Sequence, residues 1–208
     1  MSRAESSQET IDTILRTATQ HFAERGLAGA RIDEIARDAG VNKATIYYHI
    51  GGKEELYAEV FRDNMRKSTE RLLTHVNQQQ NAEDKFKAYV DTIVENLREN
   101  RAAAPLMMRE IASGAENIPQ ESLQYIVKML TTIIQILEEG RSDGSFRNTN
   151  PGLTHLMIIG SIMFYSAGEP LRKKLMGLMG NDFPMVEYTK DCDLARDISD
   201  FLLHALKS

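Results

Sequence analysis

Hydroxyl, ammonium and imidazole groups are concentrated in the segment KATIYYH, which runs from Lys43 to His49. Such groups donate hydrogen bonds to phosphate oxygens and base edges, and an ammonium also neutralises phosphate charge. If the segment is a short helix, Ile46 is its inward residue. The outer face then consists of Lys43, Thr45, Tyr47, Tyr48 and His49. Outward aromatic rings are better suited to contact a groove wall than to face solvent alone.

The residues just before this segment predict a helix-turn-helix. Ala36 is small where two helices must approach closely, and Gly40 supplies a permissive backbone at the turn. Asn42 is a favoured N-cap for the second helix, while Val41 and Ile46 occupy the two positions of a hydrophobic staple. A lone Ala-x-x-x-Gly arises by chance in many helical proteins. Its combination with the cap, the staple and the inward isoleucine favours the motif.

The segment from Phe22 to Phe61 resembles the N-terminal DNA-binding region of the TetR family of transcriptional regulators. The likeness lies in a helix ending in F-x-x-x-G, an I-A-x-x-A-G-V turn, a T-[LI]-Y-x-[HY]-F segment, in which Ile50 stands where the family prefers Phe, and a K-E-x-L start to the next helix. The matching residues are Phe22, Gly26, Ile35, Ala36, Ala39, Gly40, Val41, Thr45, Ile46, Tyr47, Tyr48, His49, Lys53, Glu54 and Leu56. The motif covers about 40 residues, and the chain length and helical layout extend the likeness further.

The resemblance implies that the helix beginning at Lys43 enters the major groove of DNA. The implied DNA-binding residues are Arg31, Asn42, Lys43, Ala44, Thr45, Tyr47, Tyr48, His49 and Lys53. Two alternatives remain open, because Tyr47 could pack on the fourth helix and His49 could be an ordinary helix-end residue. The chain departs from the family at Ala30 and Arg31, where a hydroxyl usually caps the second helix, and in the glycine pair 51–52.

Net charge gives DNA binding little support. The chain carries −5 overall, and residues 1–56 contain seven basic and nine acidic residues. Between Gly40 and Lys53, however, there are two lysines and no acid. Any electrostatic attraction to DNA must therefore come from the local surplus of positive charge between Gly40 and Lys53.

The whole chain reads as all-α. A capping box at residues 6–9 precedes the first helix, and Gly26 is its predicted end. Later helices are predicted at about 83–100, 104–113, 119–140, 152–179 and 190–206. The predicted architecture is a three-helix DNA-binding unit, residues 1–54, followed by a helical ligand-binding and dimerisation bundle, residues 55–208.

The resemblance also implies a homodimer and a small-molecule inducer. Helices at 152–168 and 190–206 are the candidates for pairing across a twofold axis, through Gly160, Phe164, Leu194, Ile198, Phe201 and Leu202. A methionine-rich lining suits an adaptable apolar pocket, and the candidate ligand-binding residues are Met107, Met108, Ile111, Tyr125, Met129 and Met163. Ordinary core packing explains these methionines equally well. Polar groups at 109, 110, 155 and 165 could orient a ligand, but internal pairing or exposure to solvent is the favoured reading of each.

Catalytic and metal-binding patterns find little support, and no cofactor is predicted. The five histidines are scattered without H-E-x-x-H spacing, and Ser161 does not lie in G-x-S-x-G. Cys192 is the single cysteine, which excludes an intramolecular disulfide. No apolar run approaches the roughly 18 residues of a membrane span, and the N-terminus lacks the apolar core of a signal peptide. The sequence therefore predicts a cytoplasmic protein that does not bind membranes.

Two functions follow as hypotheses. The first is a repressor that binds a near-palindromic operator and is released when an inducer favours a conformation whose recognition helices no longer match half-sites ~34 Å apart. The second is a dimeric ligand-binding helical protein without sequence-specific DNA binding.

Overall fold

The computed structural model describes residues 3–179 and 193–207, and within these ranges the chain is helical without strands. The prediction of an all-α fold is confirmed. In chain order the helices are α1 (Arg3–Gly29), α2 (Ile32–Asp38), α3 (Lys43–His49), α4 (Lys53–Asn77), α5 (Ala82–Glu99), α6 (Ala103–Ala112), α7 (Gln120–Ser142), α8 (Pro151–Ala167), α9 (Glu169–Met179) and α10 (Leu194–Leu206). No helix in the described ranges is long and apolar enough to cross a membrane.

The chain divides into two compact units, which we call the first and the second unit. The first comprises Met1–Lys67 and Asn100–Tyr125, and the second comprises Ser68–Glu99 and Ile126–Ser208. The first unit thus extends beyond the predicted boundary at residue 54 and includes α6, because Leu106 is buried in its core. The functional division at residue 54 stays a prediction.

The first unit has its own apolar core, built by α1, α2, α3, the start of α4, and α6. Ile14, Phe22, Ile35, Ile46, Leu56, Tyr57, Phe61 and Leu106 are among the residues buried there. The aromatic rings of Phe22 and Tyr57 meet edge to face with their centroids 4.7 Å apart. Burial of these side chains is what holds the short helices α2 and α3, because isolated helices of seven residues are not stable in water.

The second unit packs α5 against α7, α8 and α10. Its buried residues include Phe86, Tyr89, Val90, Ile133, Ile136, Phe146, Ile158, Ile162, Leu202 and Leu203. Phe146 lies directly against Gly140 of α7, where an added Cβ would be 2.1 Å from the ring carbon Cδ2. A side chain at position 140 would therefore clash with the core.

Several helix boundaries differ from prediction. α1 begins at Arg3, ahead of the predicted capping box, and continues to Gly29 with a break at Gly26, whose φ of 68° and ψ of 177° are not helical. The predicted helix 152–179 is two helices, α8 and α9, separated at Gly168. In the predicted helix 190–206, residues 190–192, including Cys192, lie outside the described residues.

Candidate nucleic-acid interface

α3 is held in place by local signals that its sequence carries. The Oδ1 atom of Asn42 accepts a hydrogen bond from the backbone N of Ala44 at 2.9 Å, which caps the helix as predicted. Gly40 adopts a φ of 68°, in the left-handed region that favours glycine. Ile46 is fully buried and Val41 packs against the same core. The predicted helix-turn-helix geometry is confirmed.

The opposite face of α3 is open. Tyr48 is 85% exposed and Tyr47 is 51% exposed. Lys43 and Ala44 are also exposed, whereas Thr45 and His49 are half-buried. The rings of Tyr48 and His49 meet edge to face at 5.0 Å between centroids. With half of its surface free, Tyr47 is placed for contact with a partner, so its position favours the outward role over packing on α4.

Lys43 and Asp33 form an ion pair across the helix-turn-helix. Lys43 Nζ lies 2.7 Å from Asp33 Oδ1 and 5.8 Å from the ring centroid of Tyr47. The hydrogen bond from Lys43 lowers the pKa of Asp33, and the same bond raises the pKa of Lys43. Both side chains are about half exposed, so solvent weakens their attraction.

The other two acids of α2 are also paired with cations. Glu34 accepts a hydrogen bond from Arg25 of α1. Asp38 accepts from Arg37 Nε at 3.0 Å and lies 2.8 Å from Nε2 of the buried His21. These contacts, Arg37 first and His21 second, lower the pKa of Asp38. Each acid of α2 is therefore neutralised locally, which reduces the repulsion of DNA that the net charge of this region suggested.

Arg31 and Lys53 lie on either side of α3 in the chain and are further cations of this region. Arg31 is exposed, and, after the larger effect of Lys43, its charge contributes to lowering the pKa of Asp33. It is the N-cap of α2 but makes no side-chain capping bond, as expected from the missing hydroxyl. Lys53 begins α4, and its Nζ donates to the backbone oxygen of Ala28 at 3.4 Å. Gly51, with a φ of 124°, makes the turn that brings Lys53 to this place.

A second group of polar contacts ties α6 into the first unit. The Arg109 guanidinium donates to the backbone oxygens of Ala23 and Glu24, next to the break in α1. Glu110 is 2% exposed and accepts from Tyr57 Oη at 2.5 Å and from the backbone N of Asn117 at 3.2 Å. Arg109 and Glu110 are thus both paired within the protein, which is one of the two roles favoured from the sequence.

The predicted ligand-binding residues are divided between the two units. Met107, Met108, Ile111 and Tyr125 belong to the first unit, and Met129 and Met163 belong to the second. Met107 packs against the core of the first unit, whereas Ile111 is 59% exposed. An open pocket of about 220 Å³ in the second unit is lined by other residues, among them Arg141, Arg147 and Pro151. A ligand role for the six residues stays a prediction.

Tyr89 and His155 form a polar contact inside the second unit. Tyr89 is fully buried, and its Oη lies 2.9 Å from His155 Nδ1 and 3.3 Å from the backbone oxygen of Met129. Burial lowers the pKa of His155, which favours the neutral imidazole. No cluster of potential metal ligands occurs within residues 3–179 and 193–207.

The predicted dimerisation residues differ in exposure. Phe164 on α8 is 70% exposed, Phe201 on α10 is 73% exposed, and Gly160 faces open space. Leu202, by contrast, is buried in the core of its own unit, and Leu194 and Ile198 pack against that core. The exposed apolar face of α8 also includes Leu153, Leu156 and Met157. These positions recur at helical spacing, so they form one continuous stripe.

Sequence comparison relates both parts of the chain to regulators. The model of "Bacterial regulatory proteins, tetR family" matches residues 14–60, and that of "Tetracyclin repressor-like, C-terminal domain" matches residues 79–166. The chain is 28% identical over 177 residues to the "HTH-type transcriptional repressor KstR2" of Mycolicibacterium smegmatis, covering 80% of this chain and 84% of the relative. It is 26% identical over 220 residues to the repressor NicS of Pseudomonas putida, covering 99% and 96%.

Solved structures show the same fold. The haemolysin II transcriptional regulator HlyIIR aligns with a TM-score of 0.64 at 25% identity, covering 97% of this chain and 99% of that one. FadR of Bacillus subtilis, solved with stearoyl-CoA, aligns with a TM-score of 0.69 at 20% identity, covering 92% and 97%.

Proposed function

Because the chain belongs to the TetR family of transcriptional regulators, we propose that it is a homodimeric repressor whose α3 reads an operator and whose release from DNA is triggered by a small apolar ligand. The observation that carries this proposal is the outer face of α3, where Tyr47 and Tyr48 are exposed beside Lys43 although Ile46 anchors the helix in a well-packed core.

The residues around α3 have separate roles in the proposed complex. Tyr47 and Thr45 contact base edges and thymine methyl groups in the major groove, while Tyr48 and His49 reach the backbone with their polar tips. Ala44 is small enough to let the first turn of α3 approach the bases. The side-chain amide nitrogen of Asn42 remains available to phosphate, since only its oxygen is used by the helix cap.

Phosphate contacts come from the flanking cations. Arg31 and Lys43 lie at the starts of α2 and α3, and Lys53 begins α4, where free backbone N–H groups also favour an anion. Guanidinium can bind a phosphate through two parallel hydrogen bonds, so Arg31 substitutes for the hydroxyl common in the family with a stronger contact.

The proposed DNA binding is tested by gel shift with duplexes from the region upstream of the protein's own gene. We expect salt-sensitive, sequence-selective binding by the wild type. Tyr47→Ala should remove selectivity for the operator, whereas Lys53→Ala should weaken binding to all sequences similarly. If the protein binds none of these duplexes more tightly than random DNA, the proposal is contradicted. That result would favour a helical dimer that lacks specific DNA binding.

Dimerisation through α8 is supported by the stripe that includes Leu156, Gly160 and Phe164. A phenylalanine buries about 150–250 Å² when fully covered, so covering one that is 70% exposed removes substantial apolar surface from water on each chain. Phe164→Glu should shift the protein to monomer in sedimentation velocity. Val127→Glu, at a 60% exposed valine of α7, is the matched control and should leave the dimer intact. A dimer that tolerates Phe164→Glu would contradict this interface.

The ligand belongs to the second part of the proposal. Met129 and Met163 are buried side chains of the second unit whose flexibility suits an adaptable apolar site. One structural relative was solved with stearoyl-CoA, so this thioester, whose acyl chain is apolar although its coenzyme A part is charged, is the first probe. Native mass spectrometry should detect an apolar compound retained by the purified protein, and the same compound should release the operator in the gel shift. If no retained compound releases the protein from the operator, control by a ligand is contradicted.

A further inference from the structure

Lys43, the lysine of α3 to which we assign a phosphate contact, already has an anionic partner. Lys43 Nζ lies 2.7 Å from Asp33 Oδ1, in the first turn of the preceding helix. The ring of Tyr47, one turn further along α3, lies 5.8 Å from the same ammonium. Lys43 is therefore held between a carboxylate and an aromatic ring in the absence of DNA.

Asp33 differs in this respect from the other acids of α2. Glu34 pairs with Arg25 of α1, and Asp38 pairs with Arg37 of its own helix and with His21 of α1. Among the acids of α2 in the described residues, Asp33 is thus the one that forms an ion pair with a side chain of α3, namely Lys43. A phosphate that approaches Lys43 has to displace this carboxylate or remain close to it.

We propose that Asp33 restrains Lys43 and thereby lowers the affinity of the protein for DNA of any sequence. The inference rests on the proposed function only in that α3 must face DNA. The carboxylate acts through the lysine, because it occupies the ammonium that would otherwise be presented to a phosphate. This effect does not depend on the bases, so random DNA and operator are weakened alike.

The size of the effect follows from the exposure of the pair. Contacts between half-exposed ions are modest, so freeing Lys43 by Asp33→Asn should raise affinity about 2- to 5-fold per chain. Because Asp33 offsets the charge of the ammonium in the wild type, Asp33→Asn lets Lys43 neutralise one further phosphate charge, so the slope of log K against log salt should steepen by about 0.9 per chain. Both changes should appear with random-sequence DNA.

The experiment is a double-mutant cycle on the full-length protein. Wild type, Asp33→Asn, Lys43→Met and the double variant are titrated with a fluorescent random-sequence duplex from about 50 to 200 mM salt. Asp91→Asn removes the same charge at an exposed position of α5 and serves as the control. Circular dichroism establishes that each variant is folded.

The expected result is a gain in affinity and slope for Asp33→Asn that disappears in the Lys43→Met background and is absent from Asp91→Asn. An equal gain in both backgrounds would show that Asp33 acts as a general repulsive charge, which overturns the inference. Weaker binding by Asp33→Asn would show that the carboxylate presents Lys43 to DNA, which overturns it equally.

The same titrations separate this inference from the proposed function. If the cycle behaves as expected with random DNA but no upstream duplex is preferred, the restraint by Asp33 stands and the proposed operator recognition fails. If the wild type binds neither duplex at the lowest salt, both fail. If the operator is selected but Asp33→Asn changes neither affinity nor slope, the restraint alone fails.

Discussion

The buried hydrogen bond between Tyr57 and Glu110 allows a quantitative test of how α6 is held in the first unit. Tyr57→Phe removes only the hydroxyl, because the ring keeps its edge-to-face contact with Phe22. The lost bond is 2.5 Å long and ends on a carboxylate that is 2% exposed. Hydrogen bonds to charged groups contribute about 1.5–3 kcal/mol, so we expect the free energy of unfolding to fall by that amount.

Tyr89→Phe is the matched control, since Tyr89 is equally buried but bonds to the neutral His155 and a backbone oxygen. The contact with the backbone oxygen, at 3.3 Å, is longer than an ordinary O–H···O bond and adds little, so the loss is that of one neutral bond, about 0.5–1.5 kcal/mol. Urea unfolding followed by circular dichroism should therefore show a larger loss of unfolding free energy for Tyr57→Phe than for Tyr89→Phe. In thermal unfolding, the melting temperature should fall by about 2–4 °C per kcal/mol for a chain of this length.

A third variant isolates the charge. In a Glu110→Gln background, Tyr57→Phe should cost no more than Tyr89→Phe does in the wild type, because the acceptor is then neutral. The reasoning is refuted if Tyr57→Phe in the wild type is no more destabilising than Tyr89→Phe.

Three further predictions concern stability. Gly140→Ala should destabilise by about 1–3 kcal/mol in urea unfolding, because its Cβ would be 2.1 Å from Phe146 Cδ2; in a Phe146→Ala background the same change should stabilise, and equal losses in both backgrounds would contradict the clash. Asn42→Ala should cost about 0.5–2 kcal/mol through loss of the α3 cap; an unchanged melting curve would contradict it. Burial raises the pKa of Tyr57 and Tyr89 above the usual 10.0, so the unfolded chain binds fewer protons above about pH 10 and stability should fall as pH rises. Replacing both tyrosines by phenylalanine should flatten that fall, and an equally steep pH dependence would contradict it.

Local signals allowed the recognition motif to be predicted from the sequence. Asn42 caps α3 through an atom only two residues away, and Ile46 is inward because the helix period requires it. Because both features depend only on residues that are close in sequence, they can be predicted from the local sequence pattern. The ion pairs of Asp33 and Asp38 were missed, because charged residues near a turn read as solvated.

The position of α6 could not be predicted in the same way. Glu110 and Leu106 lie one helical turn apart and are both 2% exposed, a spacing that could have indicated that the charge faces the core. The hydrogen-bond partner of Glu110 is Tyr57, which lies 53 residues earlier in the chain. No local sequence pattern indicates a contact over that separation. The break at Gly168 was also missed, although Glu169, Pro170 and the three cations at 172–174 follow it directly and end the apolar run of α8.

The discontinuity of the first unit has a consequence for how the protein is made. A ribosome adds about 5–20 residues per second, so Tyr57 is synthesised roughly 3–10 s before Glu110. During that interval the nascent chain already contains α3, but the side of α1 and α4 that Leu106 and Glu110 cover is still open to solvent. α3 therefore emerges before α6, and the core that holds α3 can close only after α6 has been made.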